Sequence, residues 1–367
     1  MLSSAWYFSS SLRFAPGDYA IDSPLVVDRS LILRGSSVLI FDTDGWPTGA
    51  VEPGTETRIF GTSALGTQPV VAVGRPDGVV IRGVGIRGFV FEGTPDGIEV
   101  IFRRVQDYAV HDNVFRGPAF LGMQSIASSG RIAGNHFSGV GTGAILAGGY
   151  DASPSTVTFT GNRSVHNTLG GVLLNGASIG IPELGDELDA VIRDNDLSNN
   201  TLTPTVSFGV RVFILRRDLG APGDSQSAAN VHALLQGNRL AGNEIGLSVD
   251  AGFPCRRVGT TCDARTYSGT IGLRLRGNTL TDSLLAPALV TFTRNAAALN
   301  PVTLAQWQYL HGATFTISDR QGTLAGAWID HPERDPFLGP CAGDAMNEPL
   351  GNLLRYNGND VPNGRNF

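Results

Sequence analysis

Arg211 and Asp250 place a cation and a carboxylate on two segments of like pattern, GVRVFIL (209–215) and GLSVDAG (246–252). Both segments alternate apolar and other residues as a strand does. Alternation turns Val172, Leu174, Val210, Val212, Leu247 and Val249 inward, and Leu173, Asn175, Arg211, Phe213, Ser248 and Asp250 outward. On strands stacked about 4.8 Å apart, the Arg211 and Asp250 side chains come within reach of each other. Such a pair can serve as acid, base or carboxylate clamp; the alternative is a solvated ion pair of little energetic weight. Asn175 adds an amide and Phe213 a ring on which a sugar can stack, so both are expected to position substrate. The segments that follow these strands supply Arg216, Arg217 and Asp224, with Glu183, Asp186, Glu187, Asp189, Asp218, Arg256 and Arg257 nearby. Two carboxylates across a groove suit hydrolysis of a glycosidic bond. Carboxylates also suit calcium, which stays open as a cofactor, although no spacing repeats a calcium loop and no metal ligand set is assigned.

The elements that would hold these residues repeat. A Gly-Asn or Asp-Asn pair follows a short apolar run at Asn113, Asn135, Asn162, Asn195, Asn238 and Asn278. The steps are 22, 27, 33, 43 and 40 residues, a period that marks a solenoid. After each asparagine turn comes a polar stretch and then a strand opening on a small residue, as in GAILAGG (143–149) and GVLLNGA (171–177). No helical pattern of ten residues separates the units, which argues against βαβ folds. The chain lengthens at one position in the repeat, directly after that strand. YDASPST grows to SIGIPELGDELD, then RRDLGAPGDSQSAANVH, then FPCRRVGTTCDARTYSGT. Insertions at one corner of a solenoid build a wall along one edge, and the strand beside it becomes the floor of a groove.

These turns, together with the opening FAPGDYAIDSPLVVDRSLILRG (14–35), resemble the right-handed parallel β-helix of the pectin-lyase-like superfamily. The resemblance implies an all-β solenoid of about nine or ten coils, in which the six asparagines form an inward structural ladder. It implies a carbohydrate-active or glycan-binding protein, and it leaves the chemistry open, because one solenoid hosts many activities. The Arg-x-Pro-x-x-Arg segment of arginine-base lyases is absent, as are the Asn-Thr-Asp, Asp-Asp, Gly-His-Gly and Arg-Ile-Lys segments of polygalacturonase-like members. Asp330-His331-Pro332-Glu333 has the residue types of an epimerase motif in another order and is read as coincidence.

Composition narrows the field further. The 367 residues carry a formal charge of −6, all 27 basic residues are arginine, and none is lysine. Schiff-base and lysine-base mechanisms are therefore excluded, and nucleic acid is a poor partner. No apolar run is long enough to span a bilayer. Of 3 cysteines, Cys255 and Cys262 share one segment; a loop disulfide is the favoured reading, a metal site the alternative, and the disulfide suits a secreted or cell-surface protein. The opening MLSSAWYFSS has no charged segment of a signal peptide. The histidines, His111, His136 and His166 among them, read as turn or surface residues. Residues 1–295 are expected to form the β-helix and 296–367 a C-terminal cap covering its exposed end. Two function classes stand: a polysaccharide-cleaving enzyme with Arg211 and Asp250 at its centre, or a non-catalytic glycan-binding or display module.

Overall fold

A computed structural model describes residues 10–148, 155–176, 186–201, 207–213, 229–251, 255–258, 261–264, 269–282, 286–292, 313–319, 323–324, 328–329, 354–356 and 359–361. The described residues form short strands wound into three parallel sheets, with a single 3-10 turn at Ser63–Leu65 and no α-helix. Within each sheet, every strand pairs with its counterpart one coil earlier and one coil later. This is the right-handed parallel β-helix.

Sheet A runs from Ser10–Arg13 through Asp186–Arg193, Ala229–Gln236 and Gly269–Arg276 to Ala313–Asp319. Sheet B runs from Gly17–Ile21 to Arg163–Val165 and continues as single bridges from Arg163 to Asp196, Arg239 and Thr279. Sheet C runs from Leu25–Val27 through Gly170–Asn175, Phe208–Phe213 and Ile245–Ala251 to Trp328–Ile329. Each coil visits A, B and C in that order. The stacking carries on past residue 295: Ala313–Asp319 lies parallel on Gly269–Arg276, and Trp328 pairs with Ala288.

The asparagine motif has a backbone cause. The residue before each ladder asparagine has a left-handed φ: Asp112, Gly134, Gly161, Asp194, Gly237 and Gly277 lie between 53° and 64°. Glycine and aspartate are among the few residues that tolerate that conformation. All six asparagines are buried and line up at the corner between sheets A and B. Asn135 Oδ1 accepts from the Asn113 backbone N–H at 3.0 Å and from Asn113 Nδ2 at 3.0 Å, and the pattern repeats to Asn278. A second amide ladder, unread in the sequence, fastens the corner between sheets B and C. Asn167 N–H donates to Asn200 Oδ1, and Asn200 N–H to Asn243 Oδ1. Inside, Phe91, Phe115, Phe137 and Phe159 stack coil on coil, with centroids 5.4, 4.5 and 5.9 Å apart. Such contacts add to the burial of their rings.

A hairpin of Leu39–Phe41 and Pro47–Val51 leaves the first coils and lies over sheet B, where Leu39 and Val51 pack on Val90 and Val114. Its tip carboxylate, Asp42, meets Arg163 Nη1 at 2.9 Å. Cys255–Val258 and Thr261–Ala264 form a second antiparallel pair, with Cys255 opposite Ala264 and Cys262 opposite Arg257. The side chains of both cysteines lie outside the described residues.

Candidate functional site

The third corner, from sheet C to sheet A, carries no amide ladder among the described residues. The connection there is 127–129 after Leu121–Ile126; it becomes 148–154, 176–185, 214–228 and 252–268 on later coils. These four lengthened segments share one edge of the solenoid; at the other corners the connection 35–56 carries the hairpin, and 197–207 is longer than its counterparts 166–169 and 240–244. Asn175, Phe213 and Asp250 stand at the ends of the sheet C strands on one side of that edge. The first residues of the sheet A strands stand on the other.

On the sheet C side the register is the one alternation demands. Val172, Leu174, Val210, Val212, Leu247 and Val249 all lie in the core. Leu173, Arg211 and Ser248 stand in one register row, and Asn175, Phe213 and Asp250 in the row two residues on. Arg211 and Asp250 thus sit on adjacent strands two residues apart. The floor they were expected to form, however, is not open. Leu173, Asn175, Arg211 and Ser248 are all buried, Asn175 completely and Arg211 to 4% exposure. The reason is a second apolar layer outside the sheet: Leu121, Ile145, Leu173 and Phe208 cluster there, and the Arg211 guanidinium carbon lies 5.9 Å from the centre of the Phe208 ring. A cation held over an aromatic face is a built contact and not a loose surface charge. The side chains of Phe213 and Asp250, and residues Arg216, Arg217 and Asp224, lie outside the described residues.

On the sheet A side the strand Asp186–Arg193 begins directly after the lengthened corner, so Glu187 and Asp189 are strand residues and not wall residues. Asp189 lies opposite His232 in register. His232 Nε2 is 3.9 Å from Glu187 Oε1, and both side chains are about half exposed. Opposite His232 on the next strand is Gly272, where an added Cβ would stand 2.7 Å from His232 Nδ1. The missing side chain leaves room for the ring to lie flat along the sheet. A half-exposed imidazole near one carboxylate, with a second carboxylate in register on the neighbouring strand, can do acid/base chemistry. Sequence reading named Glu187 and Asp189 as wall residues and His232 among the histidines, without bringing them together. The sheet register, which pairs residues 43 apart, was needed to see them meet.

The other histidines divide. His166 is exposed, and His111 pairs with Asp112 at 2.7 Å. His136, expected at the surface, is buried beneath the hairpin, its Nδ1 2.9 Å from the Pro47 carbonyl. Burial pushes its pKa down to about 4. Glu99 is wholly buried, with its Oε1 accepting from the Gly93 N–H at 3.3 Å, and burial raises its pKa well above the ordinary value. Among the described residues no cluster of His, Cys, Asp and Glu could hold a metal ion, and no helix is long and apolar enough to cross a membrane.

No protein-family model matches this chain, and no curated protein matches it. Among solved structures it is similar to the catalytic domain of a GH87 α-1,3-glucanase bound to tetrasaccharides, at 12% identity and a TM-score of 0.34, covering 89% of this chain and 62% of that one. It is also similar to pectate lyase Pel9A, at 13% identity and a TM-score of 0.26, covering 96% and 78%. The chain spans less than two-thirds of the glucanase domain it matches.

Proposed function

We propose that this β-helix binds an extended polysaccharide along the edge between sheets C and A, outside the cell or on its surface. The observation that carries the reading is the run of lengthened connections on four successive coils at that one edge. A linear polymer needs a long trough, and a solenoid whose successive coils lengthen at the same corner supplies it. The sheet C strands contribute their ends at Phe213 and Asp250 to the wall, with the buried Asn175 and Arg211 behind them, and Arg216, Arg217 and Asp224 follow in the connection itself.

A second reading, cleavage of the bound polymer, is favoured by the trio Glu187, Asp189 and His232. In it the imidazole and a carboxylate share the acid and base roles at the scissile bond, in place of the Arg211 and Asp250 pair read from the sequence. Retention on immobilised neutral and acidic polysaccharides, with product assays for reducing ends and for unsaturated sugars, tests both. Retention without product supports the binding module. Product that disappears in His232→Ala and Glu187→Gln, with retention kept, supports cleavage by the trio. No retention on any polymer overturns the proposal.

A further inference from the structure

Three arginines stand in register at the N-terminal end of sheet A. Arg13 pairs with Arg34, and Arg34 with Arg87, so three guanidinium groups rise from adjacent strands on one outward column. They line a cleft of about 590 Å³ between the corner at Gly35 and the base of the hairpin. Like charges on neighbouring strands repel, and such a column destabilises a fold unless an anion meets it. Carboxylates are plentiful elsewhere in this chain of net charge −6. Yet none of these three arginines makes an ion pair among the described residues, where Arg58, Arg75, Arg82, Arg116, Arg163 and Arg193 all do.

The polar groups around them are already occupied. Ser36 Oγ donates to the Phe14 carbonyl at 2.9 Å, Ser37 Oγ accepts from the Thr57 N–H at 2.8 Å, and the Gly35 N–H donates to the Arg87 carbonyl at 2.9 Å. Arg34 Nε is shielded from solvent and has no acceptor. A buried, charged donor left unmet is costly, and an absent ion or ligand is one of its ordinary explanations. The floor is bare backbone: a Cβ at Gly35 would overlap the Gly88 carbonyl oxygen. Val38 and Phe41 line the same cleft and are 44% and 48% exposed. Cations together with an exposed ring fit a charged sugar better than a free inorganic ion.

We propose that this cleft binds the carboxylate or sulfate groups of an acidic glycan. It lies at the far end of sheet A from Glu187 and His232, and names the charge of the glycan whose binding is proposed above, on which it rests. Guanidinium suits both oxyanions because its parallel N–H groups match two oxygens at once. The test is calorimetric titration of the full chain at low salt with an oligogalacturonate, a heparin oligosaccharide, a neutral cello-oligosaccharide and sodium sulfate. Binding of either acidic oligosaccharide is expected, weakened about tenfold by Arg34→Gln and again by Arg87→Gln, and lost as added salt screens the charges. Asp112→Asn, which removes the cleft's one carboxylate, is expected to tighten binding a few-fold; a misfolded variant cannot mimic a gain. Heparin carries both groups, so binding of the oligogalacturonate means that carboxylate suffices, and binding of the heparin oligosaccharide without it means that sulfate is needed. Binding of the neutral sugar alone, of sodium sulfate alone, or of acidic sugar unchanged by Arg34→Gln, Arg87→Gln and Asp112→Asn, overturns the inference. Neutral-sugar binding would leave the proposed polysaccharide function standing, whereas no binding of any sugar removes both.

Discussion

Acid should loosen the hairpin from sheet B, and His136 sets the window. Its imidazole donates from Nδ1 to the Pro47 carbonyl at 2.9 Å and is otherwise enclosed. Burial holds its pKa near 4 against an ordinary 6.5, the Pro47 bond opposes that shift, and the neighbouring Arg163 adds to it. The unfolded chain therefore binds a proton that the folded chain refuses throughout the interval between those two values. Stability is full above the unfolded pKa and falls as pH drops towards the folded one. Across the whole interval the loss is on the order of 3 kcal/mol, of which about 2 kcal/mol falls between about pH 7 and about pH 5. Urea midpoints of the wild type and of His136→Gln at both pH values isolate this group, because other titrations are common to the two chains. The wild type should lose about 2 kcal/mol more than the variant. Amides of residues 39–51 should exchange faster at the lower pH, since the hairpin can lift to let the ring charge. Equal losses in the two chains would refute the argument.

Gly49→Ala should destabilise the same hairpin by about 1–3 kcal/mol, because Gly49 has a φ of 85° and an added Cβ would lie 2.6 Å from the His136 ring; the urea midpoint reads it. Asn195→Ala should cost roughly 2–4 kcal/mol by leaving the Asn162 N–H and Nδ2 without their acceptor, with thermal unfolding as the readout. Glu99→Gln should raise the melting temperature, and more so as pH rises. A carboxyl whose folded pKa is raised lends stability only below its unfolded value and loses it as pH climbs towards the folded one, while an amide has no proton to lose. A gain that does not grow with pH would count against a protonated Glu99.

The spacing of the Gly-Asn and Asp-Asn pairs made the solenoid legible, because one backbone requirement, a left-handed residue before a stacked amide, left the same dipeptide on six coils. The second ladder left no such mark. Asn167, Asn200 and Asn243 follow Asn162, Asn195 and Asn238 by five residues each, but only three coils carry them and no fixed neighbour precedes them. Alternation placed Arg211 in the correct column and misjudged its surroundings. Period two separates the two faces of a strand and says nothing about a second layer lying on the outer one, which Phe208 and its neighbours supply here. His136 was misread for a similar reason, since the hairpin that buries it comes from residues 89 positions away.

The position of the lengthened connections follows from the ladders themselves. At the corners between A and B, and between B and C, each buried amide bonds the backbone of the coil before it. An insertion between ladder asparagines would pull one out of line and strand donors on two coils, a cost of a few kcal/mol; the extra residues 201–207 follow Asn200 and leave its bonds made. The corner between C and A has no such constraint among the described residues, so its length is free to vary while the strands on either side keep their register. Variation in a solenoid collects where the coil is not stapled, and binding surfaces are built where variation is tolerated. The same logic predicts the response to engineering. A short Gly-Ser insertion between Asn175 and Asp186 should leave the melting temperature nearly unchanged, because lengthening an existing loop costs only a fraction of a kcal/mol. The same insertion between Asn195 and Asn200 should abolish cooperative unfolding. Equal tolerance at the two sites would mean that the ladders do not govern where this chain can grow.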